Sequence, residues 1–184
     1  MFDPNNPSAL SNLISVRSSG KPFDLPATLP RLDLVLDQNG GIQNYAAMGP
    51  LKKLFSANKD VITIIQSRHN LVFKLRFDNS RFFVNARLQM SVAPDDPRRL
   101  IEKFYNRGHD HISTGLLMAA LNTTVVREVE RNLSILPLGA WVSLKRGEPV
   151  KSADRHNNLA RVCEELGFRL YYDQLGIDVT PVTA

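Results

Sequence analysis

The chain has 184 residues, 43% of them hydrophobic and 22% charged, with 23 Lys and Arg against 18 Asp and Glu for a net charge of +5. Such a composition builds an ordinary globular core and leaves room for two small domains, while excluding collagenous, low-complexity and disulfide-rich classes. The single cysteine, Cys163, rules out an internal disulfide and multi-cysteine zinc sites.

In residues 1–30, Pro4, Pro7, Pro22, Pro26 and Pro30 predict an extended, irregular segment. Its start has no basic cluster followed by an apolar run, so no leader peptide is expected. No stretch approaches the roughly 18 apolar residues of a membrane span, and a cytoplasmic protein is expected, with peripheral membrane contact as an option. Leu32, Leu34 and Leu36 alternate before Asn39-Gly40-Gly41, which predicts a hairpin. A short helix is expected at GPLKKLFSA, then strands at VITIIQS and LVFKLRF. In FFVNARLQMSV, Phe82, Val84, Ala86, Leu88, Met90 and Val92 share one face; Phe83, Asn85, Arg87, Gln89 and Ser91 share the other. That period of two predicts one long half-buried strand.

The period then changes. Asp96 can cap a helix with Pro97 at its first position, burying Leu100, Ile101, Phe104 and Tyr105, with Gly108 as its stop. A long helix is expected over 112–136 with Ile112, Leu116, Ala120, Val125, Val129 and Leu133 inward, closed by Pro137 and Gly139. A further helix at SADRHNNLARVCEEL buries Leu159, Val162, Cys163 and Leu166, and Gly167 follows it as the C′ residue. The last segment, FRLYYDQLGIDVTPV, reads as a strand whose phase slips near Gly176. Strands, then helices, then a strand make an α+β fold: a largely antiparallel sheet packed with two to three helices, one domain over 31–184 after the Pro-rich 1–30 segment.

No catalytic constellation emerges. The histidines are His69, His109, His111 and His156; only the His109-Asp110-His111 cluster is close, and even with a carboxylate such as Asp173 the spacing fixes no third metal ligand. Cys163 sits on an apolar helical stripe, where a buried thiol is inert. Asp95 and Asp96 are adjacent and so point apart, and capping accounts for Asp96. Gly40-Gly41 is too short for a phosphate loop, and no nucleophile elbow occurs. No enzyme, metal or cofactor is expected. The basic pairs Lys52-Lys53, Arg98-Arg99 and Lys145-Arg146 are dispersed, so nucleic acid ranks behind a solvated surface as their meaning. In ILPLGAWVSLKRG the only tryptophan, Trp141, precedes Lys145 and Arg146. It reads either as a loop or short strand covering the sheet, or as a lipid-headgroup contact.

The strand-to-helix run FVNARLQMSVAPDDPRRLIEKF resembles the SPFH (band 7) domain of stomatin, prohibitin, flotillin and the bacterial HflK/HflC proteins. Val84, Ala86, Leu88, Met90 and Val92 match its extended strand, and Asp96, Pro97 and Leu100 its D-P-x-x-L start. ALNTTVVREVERNLS is similar to the family's central helix, with Arg127 and Glu128 in the alRe stretch. Gly167, Phe168 and Leu170 match its closing G-I-x-V element, so the similarity spans residues 60–182. The family's membrane anchor or acylated segment and its trailing coiled coil are not expected in this chain. The resemblance implies an SPFH-like fold and a non-enzymatic scaffold or assembly subunit, a homo-oligomer or member of a larger complex. Contacts are expected at Trp141, Lys145 and Arg146, at Arg127 and Arg131 on the long helix, and at Tyr171 on an edge strand near 168–180. The alternatives are a basic module for nucleic acid or anionic surfaces, and an enzyme whose site has no recognisable motif.

Overall fold

A computed structural model describes residues 12–17, 22, 25, 28–36, 39, 41–55, 59–78, 82–109, 111–152 and 157–181. The fold is α+β, with helices and antiparallel strands, as the switch of period predicts. The described residues hold two sheets and five helices, where one sheet with two to three helices was expected. The chain forms two compact units. One is drawn from Met1–Arg68, Ala93–Leu117 and Glu165–Phe168, the other from His69–Val92, Met118–Glu164 and Arg169–Ala184.

The first unit holds β1 (Asn12–Arg17), β2 (Arg31–Leu36), β3 (Ile42–Asn44), helix α1 (Pro50–Phe55), β4 (Val61–Ile65), helix α2 (Pro97–Lys103), a 3-10 turn (Tyr105–Arg107) and β7 (His111–Ser113). Its sheet runs β3-β2-β4-β1-β7. β1 falls inside the segment read as irregular, and β7 stands where the long helix was expected to begin, at residue 112. Pairing of Leu36 with Ile42 joins β2 to β3 as a hairpin; residues 37, 38 and 40 of its turn lie outside the described ones. β4 lies between β2 and β1 and is buried at every position, which explains why its residues, all apolar but Thr63, do not alternate as those of a half-exposed strand would. Its one hydroxyl is satisfied: Thr63 donates to Asp33 Oδ1 at 2.6 Å, and Asp33 pairs with Arg31 at 3.2 Å.

α2 starts as its sequence requires. Asp96 Oδ1 accepts the amides of Arg98 (3.0 Å) and Arg99 (3.2 Å), with Pro97 in the first turn. Leu100, Ile101 and Phe104 are buried, and the Phe104 ring meets Phe168 edge-on at 6.4 Å. Gly167 adopts φ +88°, and its carbonyl accepts the amides of Asp95 (2.9 Å) and Asp96 (3.1 Å). A Cβ at Gly167 would lie 2.8 Å from the Asp96 carbonyl oxygen and 2.9 Å from the Leu100 nitrogen.

The second unit holds β5 (His69–Asp78), most of β6 (Phe82–Pro94), helix α3 (Thr114–Ser134) from Met118 onward, helix α4 (Leu138–Lys145), β8 (Val150–Ser152), helix α5 (Asn157–Glu165) and most of β9 (Phe168–Pro181). Its sheet order is β5-β6-β9-β8. The alternation along β6 is kept: Val84, Ala86, Leu88, Met90 and Val92 are buried with Leu71 and Phe73 of β5 and Leu175 and Ile177 of β9. The helices contribute Leu121, Val125, Val129, Leu144, Leu159 and Cys163 to the buried set.

Other readings change as well. The inward face of α3 begins at Leu117 and Leu121, both buried, not at Leu116 and Ala120. Leu116 and Leu117 are adjacent and equally apolar, so periodicity alone cannot choose between them. Pro137 and Gly139 do not close a helix; Pro137 is the N-cap of α4 and Gly139 lies inside it. Burial alternates cleanly through Leu175, Gly176 and Ile177, and the slip in β9 falls at Tyr171-Tyr172, two successive exposed residues. The edge expected at β9 is covered in part, since β8 pairs with it at Leu175, Gly176 and Ile177.

Gly167→Ala is expected to cost about 2 kcal/mol or more, because the left-handed backbone alone costs about 1–2 kcal/mol with a Cβ present and the overlap adds to it. Gly139→Ala, with nothing within 4 Å of the new Cβ, should leave stability unchanged or raise it by up to about 1 kcal/mol. Urea unfolding of both variants measures the contrast.

Candidate functional site

The stretch LGAWVSLK forms α4 with Pro137 at its N-cap, where a missing N–H costs the helix nothing, and Gly147 at φ +80° ends the turn after it. Leu138 and Val142, one turn apart, share a face. Leu138 is 80% exposed and Val142 41%, and Ile135 just before the helix is 59% exposed. Trp141 and Leu144 turn the other way: Leu144 is buried, Trp141 half-buried. A helix apolar on both sides uses one for its core and leaves the other in water.

The Trp141 ring lies 6.5 Å from Phe82, tilted by 52°. Phe82 shares the helix-facing side of β6 with Val84, and Val179 shares that of β9 with Ile177. Phe82, Trp141, Leu144 and Val179, with Lys145, Arg146 and Gly147, line a groove of about 360 Å³. Lys145 and Arg146 are both exposed at its rim. Three of the expected contact residues, Trp141, Lys145 and Arg146, are therefore brought together, on a helix where a loop or short strand was expected. The signal for Phe82 was the alternation of β6.

Arg127 and Arg131 are exposed on α3. Arg131 also has a local role: its Nη2 sits 2.9 Å from Glu128 Oε2, a carboxylate with only 4% of its side chain exposed. Glu128 Oε1 accepts from Asn158 Nδ2 of α5 at 2.6 Å. The pair ties two helices of one unit across a buried charge. Tyr171, 44% exposed on β9, does not line the Trp141 groove.

Several of the residues weighed for chemistry make local structural contacts. The Asp96 carboxylate caps α2, and the Asp95 amide bonds Gly167. The His109 amide donates to Phe104 at 3.2 Å, and its ring lies edge-on to Phe104. His111 stands in β7 opposite Ser15; Asp110 and His156 lie outside the described residues. His69 is held below its usual value by burial. Among the described residues no three of His, Cys, Asp or Glu converge to hold a metal. Among the same residues no helix is long and apolar enough to cross a membrane. The Cys163 thiol is pushed up to about 12 by burial and by the charges of Asp173 and Glu164. The Tyr105 hydroxyl donates to the Asp60 carboxylate, and this bond, with burial, pushes its pKa up to about 12.

No protein-family model matches the chain, and neither a curated protein nor a solved structure matches it.

Cys163 and Tyr105 stay protonated to higher pH in the folded state than in the unfolded chain, where the ordinary values are 9.0 and 10.0. Their share of stability is complete below about pH 9 and is lost as pH rises toward 12. The urea midpoint should hold from about pH 7 to 8.5 and fall above pH 9, less steeply in Tyr105→Phe, which has no proton to lose. Iodoacetamide at about pH 8 should label Cys163 only after unfolding.

Proposed function

We propose that the chain is a non-enzymatic assembly subunit that docks through α4. One observation carries this: Ile135, just before α4, and Leu138 and Val142 on that short apolar helix all stand exposed beside the Trp141 groove. Apolar side chains left in water side by side lose hydration cost when a partner covers them. A second copy of the chain suits the surface, because Glu148 follows Lys145 and Arg146 and all three are exposed. A face holding both charge signs around an apolar centre can pair with itself about a two-fold axis. The resemblance to SPFH domains leads to the same class of role.

A cytoplasmic location with peripheral contact on an anionic membrane is the second reading. Lys145 and Arg146 beside a half-buried tryptophan favour it, since indole and cations suit the headgroup boundary.

Light scattering should give a native mass above the 20.6 kDa chain. Leu138→Asp with Val142→Asp should return the chain to a monomer, and the stability change should stay near 0.5 kcal/mol because both positions face water. A wild-type monomer at high concentration overturns the assembly role. Flotation with phosphatidylserine vesicles but not phosphatidylcholine vesicles, lost in Lys145→Glu with Arg146→Glu, would establish the membrane reading instead. Trp141→Ala is a poorer probe, since it also removes packing against Phe82.

A further inference from the structure

A line of cations crosses the side of the second unit's sheet opposite its buried residues. Register pairs Lys74 of β5 directly with Arg87 of β6. Gly176 of β9 comes next: a Cβ there would sit 3.9 Å from the Arg87 carbonyl oxygen. Gly176 is in turn paired with Lys151 of β8. Lys74, Arg87 and Lys151 are all exposed. With strands about 4.8 Å apart, the row spans about 14 Å across the whole sheet. Its one member without a side chain, Gly176, keeps the middle flat.

The neighbouring row adds a stacking surface. Arg76, two residues along β5 from Lys74, holds its guanidinium 3.4 Å from the centre of the Phe83 ring. Asn85, opposite Arg76, donates to Asp178 at 2.7 Å. A depression of about 350 Å³ lies over Lys74, Arg76, Asn85, Arg87 and Asp178. Tyr172, 50% exposed, donates its hydroxyl to Gln174 at 2.7 Å, which places both on one side of β9.

The charges on this face do not cancel. Asp78 lies 3.8 Å from Arg76, and Asp178 is engaged by Asn85. Among the described residues no carboxylate pairs with Lys74, Arg87 or Lys151. Arg87 is instead held by a neutral group: Gln89, in the amide orientation that satisfies both, accepts from its Nη2 at 2.9 Å and Nε at 3.2 Å. Like charges directly across a strand pair are destabilising, so the Lys74–Arg87 pair works against folding. A local rule broken in this way marks a place where function is the competing demand.

We propose that this sheet face binds single-stranded nucleic acid. Phosphates lie along the Lys74–Arg87–Lys151 row, and bases stack on the Arg76 guanidinium plane over Phe83 and on Tyr172. Unpaired bases take flat guanidinium and aromatic platforms, which a duplex with its bases stacked inside cannot use. The surface is independent of the α4 patch, because α4 lies on the helix side of the same sheet.

The test uses the full chain and a fluorescein-labelled 12-mer of oligouridylate, followed by anisotropy. Saturable binding is expected at about 50 mM salt, with log K falling against log salt by a slope of about −2, since each of three phosphate contacts contributes about 0.7 on a single strand. Lys74→Gln, Arg87→Gln and Lys151→Gln combined should weaken binding at least tenfold and flatten that slope. Tyr172→Ala should weaken binding several-fold and leave the slope intact, as a stacking contact does. Circular dichroism melting checks that each variant is folded. Absence of saturable binding by the wild type, or an unchanged affinity in the folded triple variant, overturns the proposal. So does tighter binding to a duplex of the same length. The Leu138→Asp and Val142→Asp variant should bind the oligonucleotide as the wild type does, which separates failure here from failure of the assembly role.

Discussion

A left-handed glycine, Gly167, fixes the joint between β6 and α2. The Gly167 carbonyl receives two successive amides, Asp95 and Asp96, at the point where β6 gives way to α2. Those amides belong to the last residues before a helix, where donors go unsatisfied unless something reaches them. The chain comes back to satisfy them from far along the sequence, and it can approach so closely only because residue 167 has no Cβ. Asp96 then points its side chain the other way, onto the amides of Arg98 and Arg99. With the backbone fixed at both ends of the joint, Leu100 and Phe104 enter the core and Phe168 meets Phe104.

What the sequence showed plainly were features set by neighbours along the chain. Alternation separated the faces of β6, and Asp96, Pro97, Gly108 and Gly167 announced the turns they make, because capping and positive φ depend on one or two residues. Features set by distant partners were hidden. β7 and β8 are three residues each, too short for a period to show, and exist only because β1 and β9 pair with them. Glu128 is buried because Arg131 and Asn158 together satisfy it, and Asn158 lies on another helix. The segment around Trp141 read as a loop because Pro137 and Gly139 suggested breakage; proline at an N-cap instead begins a helix.

The candidate surfaces divide the same way. Trp141, Lys145 and Arg146 stood out because they are close in sequence. Lys74, Arg87 and Lys151 did not, since each lies alone in its own strand and only the register places them in one row. Dispersed cations in a sequence are thus weak evidence of a dispersed charge on a sheet.

Edge protection offers a competing account of part of that row. β5 and β8 are the outer strands of the sheet, and lysines on outer strands discourage pairing with other chains. Lys74 and Lys151 fit this role without any ligand. Arg87 does not, because β6 has β5 on one side and β9 on the other and offers no open edge to protect. Placing a cation there, directly opposite Lys74 and braced by Gln89, raises the repulsion that edge protection alone would avoid. Arg87 is therefore the residue on which the two accounts part. If the charges only guard edges, removing Arg87 should relieve strain and leave nothing missing; if they hold phosphates, the same change removes the middle of the row.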